Sequence, residues 1–203
     1  MRVIKFLFFI IFINIATASN FIKIELPKGP SVEIPVNWDI ISENRRITLN
    51  SFTESITNSL GFRYDSDMPF AANLYDDYGK TIAIVNIRYY PNIEITQSDA
   101  LLAPEEDIKN LDKSLHQQIS LSVEQLGSTI SSWMGTNREE INGIIVFITE
   151  YIRSTPNRPA FRVRLVRVFM RERSFTLTVS HELLLDQILE PITDKIIHSI
   201  RME

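Results

Sequence analysis

The sequence predicts an α+β fold, an antiparallel β-sheet with helices packed against it. Three observations lead there. Between residues 129 and 181 four extended runs are joined by short turns, a connection that antiparallel pairs permit and parallel pairs do not. Residues 43–61 and 104–127 instead space their apolar side chains three and four apart, the period of a helix. Strands and helices also come in separate runs, where an α/β chain would alternate them one by one.

The chain opens with Arg2 and Lys5, an apolar stretch from Phe6 to Ile15, and Ala16-Thr17-Ala18. That is the three-part layout of a secretory signal peptide, residues 1–18, with cleavage expected after Ala18. Cleavage is preferred to anchoring because ten apolar residues rise only about 15 Å as a helix, against a hydrocarbon core of about 30 Å. Residues 19–203 then form one domain with a full core, periplasmic or secreted and without a stable membrane anchor. Losing two basic and no acidic residues takes the net charge from −4 to −6. An acidic body argues against nucleic acid as a partner, since that binding draws on phosphate neutralisation. Without cysteine the exported domain has no disulfide, thiol nucleophile or Cys-based metal site.

The elements follow in order. Short extended runs at 21–26 and 32–36 are punctuated by Pro27, Gly29, Pro30 and Pro35. A helix over 43–61 places Leu49, Phe52, Ile56 and Leu60 in one stripe and stops at Gly61. A hairpin follows, 70–75 and 81–90 around "DDYGK", closed by Pro91. The longest helix starts at Pro104, with Glu105, Glu106 and Asp107 at the positive end of its dipole. Ile108, Leu111, Leu115, Ile119, Ser122 and Leu126 form its stripe, and Gly127 ends it. Strand 129–139 turns at Asn142-Gly143, a favoured type I′ pair, into 144–153. "STPNRP" leads to strand 160–170, and a turn at Glu172-Arg173 returns it as 174–181. The last helix starts near Leu183 and is interrupted or kinked near Pro191.

The stretch "FRVRLVRVF", 161–169, sets three arginines in an otherwise apolar strand. If Arg153 pairs with Phe161, Glu150 falls opposite Arg164, Ile148 opposite Val166 and Val146 opposite Val168. One face then carries Val146, Ile148, Val166, Val168, Phe175, Leu177 and Val179, with Glu150, Arg162 and Arg164 at one end. Arg164 is expected to pair with Glu150. The second face is mixed: Phe147, Thr149, Tyr151, Arg153, Leu165, Arg167, Phe169, Thr176 and Thr178. No acid neighbours Arg167 there, so it reaches a helix acid or meets a ligand.

Assembled chemistry is missing from the sequence. There is no G-x-S-x-G, and Ser180-His181-Glu182 alternate across a strand, so they form no relay and no catalytic residue is predicted. His116, His181 and His198 lie far apart without HExxH. Asp65-Ser66-Asp67 and Asp76-Asp77 lack the continuation of an EF-hand and read as turns. Six dispersed glycines form no phosphate loop, so neither metal nor cofactor is expected.

Behind the secretory leader, "VEIPVNWDII", a meander ending "SFTLTVS" and a last helix ending "IIHSI" together resemble the PsbP-like proteins. That fold is shared by lumenal photosystem II subunits, a eukaryotic Ran-binding protein and many bacterial envelope proteins. The resemblance spans most of residues 30–200 and implies an antiparallel sheet sandwiched between helices. It carries over no site residue.

The expected function is a non-enzymatic, exported protein-binding module or adaptor of the bacterial envelope. Its partner, an envelope protein, would be met through Tyr75, Tyr78, Tyr89 and Tyr90 around the first hairpin. The alternative is a periplasmic carrier of a small anionic or amphipathic ligand, held by Tyr151, Arg153, Arg167 and Thr178. A concave apolar pocket of roughly a few hundred Å³ containing Arg167 favours the carrier, and a flat exposed aromatic patch the adaptor.

Overall fold

The computed structural model describes residues 20–26, 30–61, 66–91, 95–170 and 173–202. The leader and the turn residue Asp65 lie outside the described residues. Seven strands form an antiparallel sheet in the order β3-β4-β5-β9-β8-β7-β6. They are β3 (Asp39–Ile40), β4 (Asp67–Tyr75), β5 (Thr81–Pro91), β6 (Thr129–Ile141), β7 (Ile144–Ser154), β8 (Phe161–Met170) and β9 (Arg173–Glu182). A smaller sheet joins β1 (Phe21–Glu25), β2 (Pro30–Pro35) and β10 (Arg201–Met202). Four helices complete the fold: α1 (Glu43–Ser59), α2 (Gln97–Leu102), α3 (Glu105–Gln125) and α4 (Asp186–His198).

The main core lies on the first face of the large sheet. Val85, Ile87, Val146, Val166, Val168, Phe175, Leu177 and Val179 are buried there beneath Leu189, Ile196 and Ile197 of α4 and Val32 and Ile34 of β2. The helix α4 runs through Pro191 without a break, after a 3-10 turn at Leu183–Leu185. On the second face α1 packs on β4, α3 on β6, and α2 on β7 and β8. The sheet is thus sandwiched between helices, and the fold is α+β.

The β7–β8 register matches expectation: Arg153 pairs with Phe161, Glu150 with Arg164 and Val146 with Val168. The expected turn residue Glu172 lies outside the described residues; Met170 pairs with Arg173, where a turn at Glu172-Arg173 would pair it with Phe175. That moves each β8–β9 pair by two residues, an even shift that leaves every side chain on its expected face.

Two elements differ from the sequence reading. The six-residue α2 is too short to display a period, and its signal is the cap: Thr96 accepts from the Asp99 N–H while the Asp99 carboxylate accepts from the Thr96 N–H at 2.8 Å. The second difference is the orientation of α1. Its first half turns polar residues inward, Arg46 donating to the carbonyls of Ile41 and Met68 and Asn50 to that of Ser66, while Ile56 of the expected stripe is half-buried. Leu49 and Phe52 face solvent with Ile47, and no residue of α1 is buried. Free carbonyls where the chain leaves β3 and enters β4 need donors, and the polar side of the helix supplies them.

Candidate functional site

The three arginines of β8 part company. Arg162 and Arg164 lie on the first face beneath α4, whose acids meet them. The guanidinium of Arg162 donates to Glu150 at 2.9 Å, Asp186 at 3.0 Å and Glu190 at 3.1 Å. Arg164 donates to Asp194 and, at 2.5 Å, to the Thr193 hydroxyl. The expected Arg164–Glu150 pair is therefore corrected: the residues are directly opposite, but Glu150 leans to the diagonal Arg162 while α4 supplies Arg164 with its own acid. His181 completes this cluster, its Nε2 at 2.8 Å from Asp186. Desolvation pulls its pKa below the usual imidazole value, against the opposing hydrogen bond from Asp186. These groups fasten α4 to the sheet.

Arg167 lies on the second face. Its row across the sheet reads Arg138, Phe147, Arg167, Thr176 and Arg88, each directly opposite the next. Arg88 and Arg167 flank Thr176 from either side, so their Cα atoms are roughly 10 Å apart at two strand spacings. Desolvation lowers the pKa of both guanidinium groups, offset in part by Tyr90, whose ring lies on the neighbouring row. Arg88 donates to Thr53 of α1 at 3.3 Å. Arg138 is occupied by the carbonyls of Leu101 and Ala103, at 2.9 and 2.7 Å, and closes the end of α2. No carboxylate or carbonyl among the described residues takes Arg167. Around it, the buried Ser174 and Thr176 hydroxyls and the Asn86 Oδ1 also lack hydrogen-bond partners among the described residues. Buried polar groups are nearly always satisfied, so this cluster takes its partners from outside the described residues, from ordered water or a bound group.

Beside this row is an apolar cavity of about 470 Å³, bounded by Ile108 and Leu111 of α3, Ala100 and Leu102 of α2, and Phe147 and Phe169 of the sheet. Phe147 is directly opposite Arg167, and Phe169 is two residues further along the same face of β8. Arg167 itself is not in the cavity wall. Gln97 bridges β7 and β8 just beyond their last pair, Val146 with Val168. Its amide accepts from the Ile145 N–H at 2.7 Å and donates to the Ile145 and Phe169 carbonyls at 3.0 and 2.8 Å.

The expected ligand residues divide. Thr178 is a diagonal neighbour of Arg167. Tyr151 is buried further along, stacked on Trp133, which stacks in turn on His116 and donates to Asp112 at 3.0 Å. Burial pushes the Tyr151 phenol up to about 12. Arg153 lies over Phe161, six residues along the register from Arg167, or roughly 20 Å. The four tyrosines do not share a surface either. Tyr89 is in the core face against Phe175, its pKa pushed up to about 12 by burial. Tyr90 is on the opposite face, Tyr75 accepts from Asn73 at 3.0 Å, and Tyr78 is 96% exposed at the hairpin tip. Arg88 and Ser174 escaped the sequence reading, which placed Thr176 on this face. The β5–β9 pairing that brings Arg88 to Thr176 joins strands more than eighty residues apart, and no local pattern encodes it.

Among the described residues no group of three His, Asp or Glu side chains is placed to hold a metal ion, and no helix is long and apolar enough to cross a membrane.

No protein-family model and no curated protein matches the sequence. The likeness is structural. The solution structure of cyanobacterial PsbP from Synechocystis sp. PCC 6803 superposes with a TM-score of 0.58 at 8% identity, covering 93% of this chain and 95% of that one. Looser likenesses are LpqN of Mycobacterium tuberculosis, involved in cell envelope biogenesis (0.46, 10% identity, 90% of each chain), and a Pseudomonas aeruginosa protein of unknown function (0.42, 14%, 88% of this chain and 94% of that one). The fold is PsbP-like. At such identities the likeness is one of fold alone.

Proposed function

We propose that this protein is a non-enzymatic, exported binding module of the cell envelope that holds a small anionic, amphipathic molecule on the second face of its sheet. Arg167 carries the reading. A half-buried cation without a carboxylate partner, beside buried hydroxyls without partners among the described residues, offers charge and donors to a bound anion. Export rests on the leader sequence, and the non-enzymatic assignment on the lack of an assembled catalytic motif in the sequence. Protein contact is a second reading, favoured by the exposed Ile47, Leu49 and Phe52 of α1.

Calorimetric titration of the exported chain with octanoate and with octylamine tests the first reading. Octanoate should bind in preference to octylamine, and Arg167→Gln should weaken it about tenfold or more, the worth of one charge-assisted hydrogen bond. Equal octanoate binding by the variant, or a preference for the amine, would overturn it.

A further inference from the structure

We infer that the cavity between α2, α3 and the Phe147–Phe169 pair receives the apolar tail of the ligand whose negative head rests at Arg167, which makes the ligand a single-tailed acidic amphiphile. The inference rests on the function proposed above and specifies its ligand class.

Three relationships carry it. The first is adjacency. Phe147 and Phe169 belong both to the cavity wall and to the surroundings of Arg167, one directly across the strand pair and the other about 7 Å along β8. A head group and its first methylenes span that distance. The second is composition and size. Ala100 and Ala103 leave room between α2 and the sheet, Ile108, Leu111 and the two phenylalanines supply apolar walls, and about 470 Å³ lies within the range of small-molecule sites. The cavity also opens outward past Ile95 and Leu102, the latter 75% exposed, which is costly for apolar side chains unless something covers them.

The third is charge, which fixes the orientation. Asp99 and Asp107 are also in the cavity wall. Asp99 is tied to Thr96 by two hydrogen bonds, and this holds its carboxyl below the usual carboxylate range. Asp107 belongs to the first turn of α3. Two carboxylates disfavour a negative head in the cavity itself and direct it to the arginine row. An occupant with a positive head would have the reverse preference, so the sign of the head group is open to measurement.

The test is calorimetry with acetate, hexanoate, octanoate and decanoate on the exported chain, beside hexylamine and decylamine. From hexanoate to decanoate the affinity should rise about fourfold per methylene, the increment of one buried CH₂. Ala103→Phe, which fills the cavity, should remove that dependence while leaving the weak binding of hexanoate sensitive to Arg167→Gln. If Ala103→Phe fails to fold, Leu102→Asp at the exposed mouth should weaken decanoate more than hexanoate. Affinity independent of chain length with the Arg167 dependence intact would overturn the inference and leave the anion site standing. Loss of the Arg167 dependence would overturn both, and amines that tighten with length as the acids do would contradict the acidic class.

Discussion

Arg167 stands directly opposite Thr176 in the β8–β9 register, and the buried threonine hydroxyl has no hydrogen-bond partner among the described residues. An arginine kept there for stability would have been given an acid, as Arg162 and Arg164 were. Arg167→Met should therefore raise the free energy of unfolding in urea, by about 1 kcal/mol, because a half-buried charge without an acid is replaced by an apolar group of similar length. A loss of stability would show that Arg167 is bound into the fold.

Arg162 should behave in the opposite way. Replacing it with methionine leaves Glu150, Asp186 and Glu190 facing one another without their shared cation. Since these carboxylates are partly exposed, the expected loss is about 2 kcal/mol, below the full cost of breaking a buried pair. Urea midpoints of the two methionine variants, measured side by side, check both signs.

The His181–Asp186 contact predicts how stability depends on pH. Desolvation depresses the histidine pKa in the folded state, so below about pH 6.5 the unfolded chain binds the proton more readily. Stability is present above that pH and is lost as pH falls through the lower, folded value. His181→Gln should flatten the urea midpoint between pH 7.5 and 5.5, and an unchanged slope would assign the dependence to other groups.

The hairpin tip at Asn142 has a long-range role. Its backbone is left-handed, φ 51°, and its amide donates at 2.8 Å to the carbonyls of both His198 and Ile200, closing the end of α4. Asn142→Gly keeps the turn and loses the clamp, at about 1 kcal/mol, while Asn142→Ala loses both and should cost about 2 kcal/mol. Thermal unfolding of the two variants separates the contributions.

The β6–β9 meander was legible in the sequence because its order is local. The Asn142-Gly143 turn and the "STPNRP" loop fix the β6–β7–β8 register, and alternation assigns the two faces. It also isolated Arg167 as the cation without a neighbouring acid. What sequence could not supply was choice among partners. Glu150 has two arginines in reach, and only the position of α4, with Asp186, Glu190 and Asp194 on it, sends it to Arg162. Nor does helical spacing say which side of a helix turns inward: α1 forms where its period indicates, yet unfilled carbonyls near β4 draw its polar side in. Tyr151 was a reasonable ligand residue until Trp133 and α3 covered it.

The central claim is that the second face holds an acidic amphiphile through Arg167. It is tested most directly by solvent extraction and mass spectrometry of the protein purified from the cells that make it. The account predicts one equivalent of a single-tailed acid in the wild type and none in Arg167→Gln. A protein that is empty in both forms, or one that keeps a neutral or cationic molecule whether or not Arg167 is present, would contradict it.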